Sequence, residues 1–449
     1  MRHRLVIVAL SVVAAPAAAQ VPIEFGSSPN PVGSGARALG WGSAFIAVAD
    51  DATAASWNPG ALIVLERPEA SVVLSLKQRR ERFSGAGVPA GEAVQTATYP
   101  GVNYASLAYP FKLGSRFFVA SLSYQALIDF DKRVQKSYFT TSTGTGTALN
   151  AQDDVTFSQV GSLRAVTPAL AFQLSPTVAL GAAVTVWTDK LGYQNGWRQE
   201  YDVQRTVLLG TNAITSSVSS RERFGLDALG MNLGLLWDLS AAVTLGAVVK
   251  TPVVGTLTHT LDRFASSDTS IVLATPAAYR ESFRLPPSYG LGLAYRFSDE
   301  LTVSADAYRI EWELFRQVET EVVTGEKKAR NPISHEPYAD ARVAGITQAH
   351  LGVERLFIFS RTVVPARAGV FYDPEPGMQR THHFLGVALG TGVSIGDVVV
   401  DAAYQARFAT NASTDPVRVG DPNGATRTVT ATGGNVVQHL LYLSSIVHF

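Results

Sequence analysis

From Pro68 onward, the chain alternates apolar residues with polar or small ones at a period of two. Such alternation predicts β-strands, because successive side chains of a strand point to opposite faces. In 289–297 one face carries Leu291, Leu293, Tyr295 and Phe297, and the other carries Gly290, Gly292, Ala294 and Arg296. An arginine is costly against lipid at mid-depth, so in a membrane the Leu/Tyr/Phe face is predicted to point outward. Residues 384–390 repeat the pattern, with Leu385, Val387 and Leu389 on one face.

The connections between these segments are alternately short and long. Short ones fall at 114–115, 175–176, 240–241, 298–300, 360–361 and 395–396; long polar ones fall at 84–100, 132–158, 197–222, 263–283, 316–345 and 412–433, with a briefer one at 373–379. Tight turns at one end and long loops at the other are typical of outer-membrane barrels. The sequence predicts an all-β fold, a transmembrane antiparallel β-barrel of about 14 strands. The segments are 68–83, 101–113, 116–131, 159–174, 177–196, 223–239, 242–262, 284–297, 301–315, 346–359, 362–373, 381–394, 397–411 and 434–449.

A large soluble β-sandwich is the alternative, since it also gives many strands and turns. Many of the segments are longer than the usual strand of about 5–6 residues, which favours the barrel. Glycine and alanine also occupy many inward positions, where a dry sandwich core would hold bulkier side chains. The last segment places Leu441, Leu443 and Val447 on the face of the terminal Phe449. This arrangement resembles the signal by which barrels are recognised for outer-membrane insertion.

The first residues and the composition fit an exported protein. Residues 1–19 combine basic residues, an apolar run and Ala17-Ala18-Ala19, which predicts a signal peptide. The chain has no cysteine, so no disulfide or thiolate metal site is expected. Its 37 basic and 37 acidic residues balance, which argues against a nucleic-acid partner. Charged residues make up 16%, below the soluble average of about 25%.

Residues 33–65 are rich in small and apolar residues, with Asp50-Asp51 and Asn58-Pro59 as polar punctuation. They lie between the signal peptide and the first strand. This order predicts a plug inside the barrel, and hence a transport protein. The expected division is a signal peptide over 1–19, a hatch over 20–67 and a barrel over 68–449.

Three stretches carry a family resemblance: 35–45 (GARALGWGSAF), 49–54 (ADDATA) and 57–60 (WNPG). They resemble the start of the FadL family of outer-membrane transporters for long-chain fatty acids and other hydrophobic compounds. Looser similarity continues through 285–295, 365–371 and 384–390. The resemblance implies a fourteen-stranded barrel with an internal hatch, and lateral exit beside a kinked third strand. No Gly or Pro marks such a kink in 116–131. The family motif is Asn-Pro-Ala, and Gly60 replaces the alanine here.

The hatch residues allow alternative interpretations. Asn58 before Pro59 suits the start of a short helix through residues 61–65, and Gly60 after proline equally suits a type II turn. Asp50 and Asp51 could cap a helix over 52–56 or lie in a solvated turn, and pairing with lumen arginines or backbone N–H groups is favoured, since buried charge needs partners. The apolar side chains could line a path beside the plug or only pack it against the wall. They are Trp41, Phe45, Ile46 and Trp57.

The expected function is diffusion of fatty acids, similar lipids or hydrocarbons through the barrel after the hatch rearranges. The alternative is a shuttle or scaffold of a protein secretion system, with the loop 316–345 holding a partner. A general porin would need an open polar channel, which a plug opposes. An enzyme is not expected: His382 and His383 point to opposite strand faces and no nucleophile motif accompanies them.

Further expectations concern partners. No cofactor or metal is expected. The protein is expected to be a monomer. The basic residues Arg79, Arg80, Lys132 and Arg133 could meet a ligand carboxylate or the phosphates of lipopolysaccharide.

Overall fold

The computed structural model describes residues 33–82, 94–144, 147–209, 212–267, 270–273, 277–320, 325–377, 381–420 and 426–449. The expected signal peptide and the expected hatch residues before Gly33 lie outside this part of the chain. None of the helices in the described residues is long and apolar enough to cross a bilayer.

The described residues form one antiparallel sheet of 21 strands. The strands are β1 (Glu69–Arg82), β2 (Val94–Leu113), β3 (Arg116–Asp129), β4 (Lys132–Gly144), β5 (Thr147–Ser175), β6 (Val178–Trp187), β7 (Gly196–Leu209), β8 (Asn212–Asp238), β9 (Val243–Lys250), β10 (Val253–Ser267), β11 (Ser270–Leu273), β12 (Ala277–Leu285), β13 (Ser288–Arg296), β14 (Leu301–Ile310), β15 (Arg316–Thr320), β16 (Lys327–Arg330), β17 (Ile346–Ile358), β18 (Val363–Tyr372), β19 (Leu385–Ile395), β20 (Val398–Gly420) and β21 (Thr426–His448).

Fourteen of these strands form a closed barrel, as the sequence predicted. They are β1, β2, β3, β5, β6, β8, β9, β13, β14 and β17–β21, and each falls on one of the predicted segments. Strand β21 pairs with β1 and closes the wall. The six predicted short turns all join consecutive wall strands. At the opposite end, the remaining strands lengthen the wall beyond the membrane band.

The long connections differ from the prediction. Residues 132–158, 197–222 and 412–433 were predicted as polar loops, yet most of their described residues are strand. Strands β4 and β7 both pair with the outer part of β5, and β10 pairs with β8. The outer face of these extensions meets water rather than lipid, and their inner face buries polar side chains such as Asp153 and Gln159 as well as apolar ones. Their sequences therefore lack the apolar alternation that identifies a membrane strand.

The predicted side-chain faces are confirmed. Leu291, Leu293 and Tyr295 are exposed on the outer surface, whereas Gly290 and Gly292 are buried on the inner one. In the last strand the outer face carries Leu441, Leu443, Val447 and Phe449. Their role as an insertion signal stays a prediction.

The N-terminal segment, defined here as residues 33–65, contains three short helices. These are α1 (Ala36–Gly40), α2 (Ala54–Trp57) and the 3₁₀ helix η1 (Pro59–Val64). Helix α1 contacts β18–β21, and η1 contacts β3, β5, β6 and β8. The segment therefore touches the inner wall on several sides, a few residues from the short turns. A second 3₁₀ helix, η2 (Trp312–Leu314), follows β14.

Candidate functional site

Asn58 joins three parts of the lumen. Its side-chain oxygen accepts a 3.0 Å hydrogen bond from the backbone N–H of Gly60 and so begins η1, with Pro59 in the first turn. Its amide donates to the carbonyl oxygen of Ile46 at 3.1 Å and to that of Leu235 in β8 at 2.9 Å. The motif suits either the start of a short helix or a type II turn, and the structure shows the helix, in 3₁₀ form.

Glycines of the wall let η1 approach closely. A Cβ atom on Gly181 of β6 would lie 2.2 Å from the carbonyl carbon of Pro59, and one on Gly234 of β8 would lie 2.7 Å from the nitrogen of Gly60. Six further wall glycines contact the segment in the same way: Gly246, Gly290, Gly292, Gly352, Gly369 and Gly390. The inward glycines predicted from the alternation thus form a seat for the N-terminal segment.

The four apolar residues predicted for the hatch are all buried. Trp41, Phe45, Ile46 and Trp57 are each at most 1% exposed. Phe45 packs edge-on against both tryptophans, with ring centroids 6.4 and 5.7 Å apart. Of the two interpretations, these contacts agree with packing. Trp57 also borders a cavity.

A chain of charges links the segment to the wall. Arg37 of α1 pairs with Asp50, and its guanidinium also lies 3.1 Å from Glu354 of β17. Arg367 of β18 bonds both Glu354 and Asp401, each at 2.5 Å. Burial alone would lower the pKa of Arg37, but Asp50 and Glu354 outweigh it and raise that pKa well above its ordinary value. The predicted partner of Asp50 was a lumen arginine; the arginine belongs to the segment itself.

Asp51 is buried and bonds locally. Its carboxylate accepts hydrogen bonds from the N–H of Thr53 at 2.8 Å and from the hydroxyl of Thr53 at 2.5 Å. Burial raises the pKa of Asp51, and the nearby Arg37 and Thr53 offset this only in part. The backbone N–H partner was among the predictions, whereas the helix that follows begins at Ala54 rather than Ala52.

Two wall residues bond the turn between Gly42 and Ile46, and neither was predicted to have a role. Asp306 of β14 accepts from the backbone N–H groups of Phe45 at 2.6 Å and Ile46 at 2.8 Å. His350 of β17, directly opposite Asp306 in the ladder, donates to the carbonyl of Gly42 at 2.7 Å. The only available signal was that Asp306 falls on an inward position.

A cavity of about 50 Å³ with a mainly apolar surface lies beside α2. Its apolar walls come from Leu127, Ile128, Trp187, Val253, Leu285 and Trp312, and its polar walls include Ser123, Asn232 and Ser288. The amine of Lys250, at the end of β9, also borders it and donates to the carbonyl of Ser56 at 3.3 Å. A cation bonded to the N-terminal segment therefore sits at the wall of an apolar space.

A second cavity of about 110 Å³ is lined by both polar and apolar side chains. Its polar lining includes Lys77, Asn103, Gln125, Gln348, Asp373 and Arg407. Gln125 and Leu127 border both cavities, so the two spaces meet at β3. The ladder between β3 and β5 shifts register between Ala126 and Ile128. The third strand thus carries a bulge at Leu127 that neither Gly nor Pro marks.

Towards the outside, an apolar cluster fills part of the lumen. It includes Phe130, Trp197, Phe224, Phe283, Trp312 and Phe315. Ile333 and Val343 of the connection 316–345 belong to the same cluster, and Asn331 and Ser334 are fully buried. The described part of this connection thus folds over the lumen rather than outward.

The basic residues singled out in the sequence separate into two groups. Arg79 and Lys132 are largely buried on the inner side, where Arg79 bonds Glu81 at 2.5 Å. Arg80 and Arg133 are exposed. The two adjacent histidines are separated as expected: His383 bonds Tyr372 at 2.6 Å on the outer surface, and His382 pairs by its backbone with Glu375.

A closed wall with an apolar outer face, an internal segment and lumenal cavities defines an outer-membrane β-barrel. A sequence model described as outer membrane protein transport protein (OMPP1/FadL/TodX) matches residues 15–437, so the chain belongs to this family. It is a multi-pass β-barrel of the outer membrane. Membership of a transport family agrees with the expectation of a transporter rather than an enzyme.

Solved structures support the fold. A Pseudomonas aeruginosa FadL homologue is 15% identical to this chain and has a TM-score of 0.63. The match covers 93% of this chain and 98% of the homologue's chain. The Pseudomonas putida toluene transporter TodX is 15% identical with a TM-score of 0.55, covering 94% and 99%. The Ralstonia pickettii toluene transporter TbuX is 16% identical with a TM-score of 0.51, also covering 94% and 99%. A search of curated proteins finds no match.

Proposed function

We propose that this protein carries small hydrophobic molecules across the outer membrane by diffusion, with the N-terminal segment as the hatch. The observation that carries the proposal is the apolar cavity beside α2, on the outer side of the segment. A molecule that leaves water for such a cavity gains the free energy of apolar burial, about 25 cal/mol per Å². No energy source is needed for movement down a gradient.

Within this class, the cavity favours a molecule with a carboxylate, such as a fatty acid. The amine of Lys250 is the cationic group at its wall, and it bonds the carbonyl of Ser56 in α2. A carboxylate would bind the amine more strongly than a neutral carbonyl does, because the attraction between two opposite charges adds to the hydrogen bond. Its arrival would release Ser56 and loosen the end of α2. Aromatic hydrocarbons such as toluene, for which TodX and TbuX are named as transporters, would enter the cavity without this step once the segment makes room for them.

The scaffold alternative finds less support. It needs an outward platform in the connection 316–345, and the described part of that connection packs onto the lumenal cluster. A general porin would need an open polar channel, whereas the segment packs against wall glycines on several sides.

The test measures binding and uptake with the purified barrel. Wild type, Lys250→Met and the control Lys112→Met, which alters an exposed lysine on β2, are titrated with oleate and with toluene. We expect Lys250→Met to weaken oleate binding about tenfold, which corresponds to about 1.4 kcal/mol, and to leave toluene binding unchanged. If wild type binds neither ligand, and its reconstitution into liposomes passes neither, the transport proposal is wrong. Equal loss for both ligands would leave transport intact and reject the acid preference.

A further inference from the structure

The outer surface of the barrel carries an unbalanced set of arginines on one side, above the membrane band. We define the arginine face as five exposed, outward-pointing residues: Arg198 on β7, Arg223 on β8, Arg280 and Arg284 on β12, and Arg316 on β15. Among the residues that the structure describes, none of the five has a carboxylate within ion-pair distance. Arg280 is attracted to the more distant Asp227, and Arg316 lies over the ring of Tyr338, 5.3 Å from its centroid.

Like charges oppose each other directly within this face. Arg198 is the ladder partner of Arg223, and Arg284 is the ladder partner of Arg316. Opposed side chains of an antiparallel pair have Cβ atoms about 4.5–5.5 Å apart, and like charges at that separation are destabilising. Two such pairs on one surface are unfavourable in the protein alone and favourable once an anion lies between the guanidinium groups.

The outward residues of β8 show where the arginine face lies relative to the apolar membrane band. Its outward residues Trp237, Leu233 and Leu229 are apolar and exposed. At about 3.4 Å per residue and a tilt of about 40°, they span about 20 Å of an apolar band about 25 Å tall. Through the ladder, Leu229 pairs with Val254 and Val254 with Arg284, and at this tilt each step to the next strand changes the height by about 3 Å. Arg284 therefore lies within about 6 Å of the height of Leu229, near the outer edge of the band, and Arg223 lies further out along β8.

Acidic residues offset the charge of the face only in part. Glu200 and Asp262 both lie opposite Arg221, which is therefore not counted in the face. Asp227 pairs with Lys190 at 3.2 Å and also attracts Arg280. On the other side of the barrel, Tyr404 bonds His439 at 2.6 Å, Phe408 follows it on β20, and Arg80 of β1 is exposed. The exposed arginines are thus concentrated on the side of β7, β8, β12 and β15.

We propose that the arginine face binds the phosphate groups of lipopolysaccharide in the outer leaflet. Guanidinium forks match phosphate geometry with paired hydrogen bonds. Phosphates at the top of the apolar band would lie between Arg284 and Arg316, and phosphates higher in the sugar region would lie between Arg198 and Arg223. Binding by this surface leaves the lumen, and therefore the transport proposal, untouched.

The experiment compares wild type with Arg198→Gln/Arg223→Gln and Arg284→Gln/Arg316→Gln. The control Arg116→Gln/Arg296→Gln removes two exposed arginines at the opposite end of the barrel. Native mass spectrometry of each protein in detergent is performed with bisphosphorylated lipid A, the same lipid dephosphorylated, and phosphatidylglycerol. Wild type and control are expected to prefer the bisphosphorylated lipid by about tenfold, and each double variant to lose about fivefold or more of that affinity.

Stability gives a second readout that does not depend on ligand choice. Without lipid, each double variant should melt at the same temperature as wild type or higher, because opposed like charges are gone. With bisphosphorylated lipid A, wild type should gain more than the variants. The proposal is overturned if wild type binds phosphorylated and dephosphorylated lipid A equally. It is also overturned if the variants retain wild-type affinity, or if phosphatidylglycerol binds as tightly as lipid A.

Discussion

Gly60 of η1 and Gly234 of β8 are in backbone contact: a Cβ atom on Gly60 would lie 2.9 Å from the carbonyl carbon of Gly234. Gly60 therefore departs from the family's Asn-Pro-Ala motif at a place where the wall leaves little room for alanine. Its backbone does not require glycine, because its φ is not in the left-handed region. The glycine serves close approach of the segment to the wall.

This contact predicts the effect of Gly234→Ala. A Cβ atom there would lie 2.1 Å from the side-chain oxygen of Asn58, so Asn58 and η1 must move. Overpacking of this kind costs about 1–3 kcal/mol. We expect a lower melting temperature and faster proteolysis of the N-terminal segment. Gly101→Ala, whose nearest contact would be the hydroxyl of Ser75 at 3.8 Å, is the matched control and should behave as wild type.

Arg37→Ala should loosen the segment by another route. The variant removes the bonds to Asp50 and Glu354, and hydrogen bonds to charged groups are worth about 1.5–3 kcal/mol. Glu354 would keep Arg367, so the wall strands stay paired. Planar-bilayer recordings should show more frequent openings than wild type. The control is Arg67→Ala, which breaks the exposed pair with Asp397, worth about 0–1 kcal/mol, and should record as wild type. Unchanged recordings for Arg37→Ala would contradict the idea that Arg37 holds the segment to the wall.

The pH dependence of stability should change in Asp51→Asn. A carboxyl whose pKa is raised by folding stabilises the fold below its ordinary pKa of about 3.9, and this contribution is lost as the pH rises through the raised pKa. An asparagine oxygen can accept the same bonds from Thr53 without charge. Its melting temperature should match wild type at pH 4 and exceed it at pH 8. The control Asp50→Asn loses the pair with Arg37 and should be less stable than wild type at pH 8. A melting temperature of Asp51→Asn below that of wild type at pH 8 would reject the prediction.

The sequence was most informative where one physical constraint governs each residue. Outward positions such as Leu291 and Leu443 must suit lipid, so alternation alone identified the faces and strands of the wall. The outer extensions were not predicted as strands, because their outer face meets water and their inner face carries polar as well as apolar side chains. The wall residues that contact the N-terminal segment were not predicted, for another reason. Gly234, Asp306 and His350 act on residues far away in sequence, and nothing local to them specifies which part of residues 33–65 arrives there.

Covalent locking tests whether the segment must move for transport. The hydroxyl of Ser34 bonds the side chain of Asn103 on β2, and both residues are buried. The chain has no native cysteine, so Ser34→Cys/Asn103→Cys introduces one defined pair. We expect the oxidised protein to bind oleate in its cavity yet fail to pass it into liposomes, because the segment is held against β2. Reduction should restore passage, and each single variant should pass oleate under both conditions. Passage through the fully oxidised barrel at the wild-type rate would show that this end of the segment stays in place during transport.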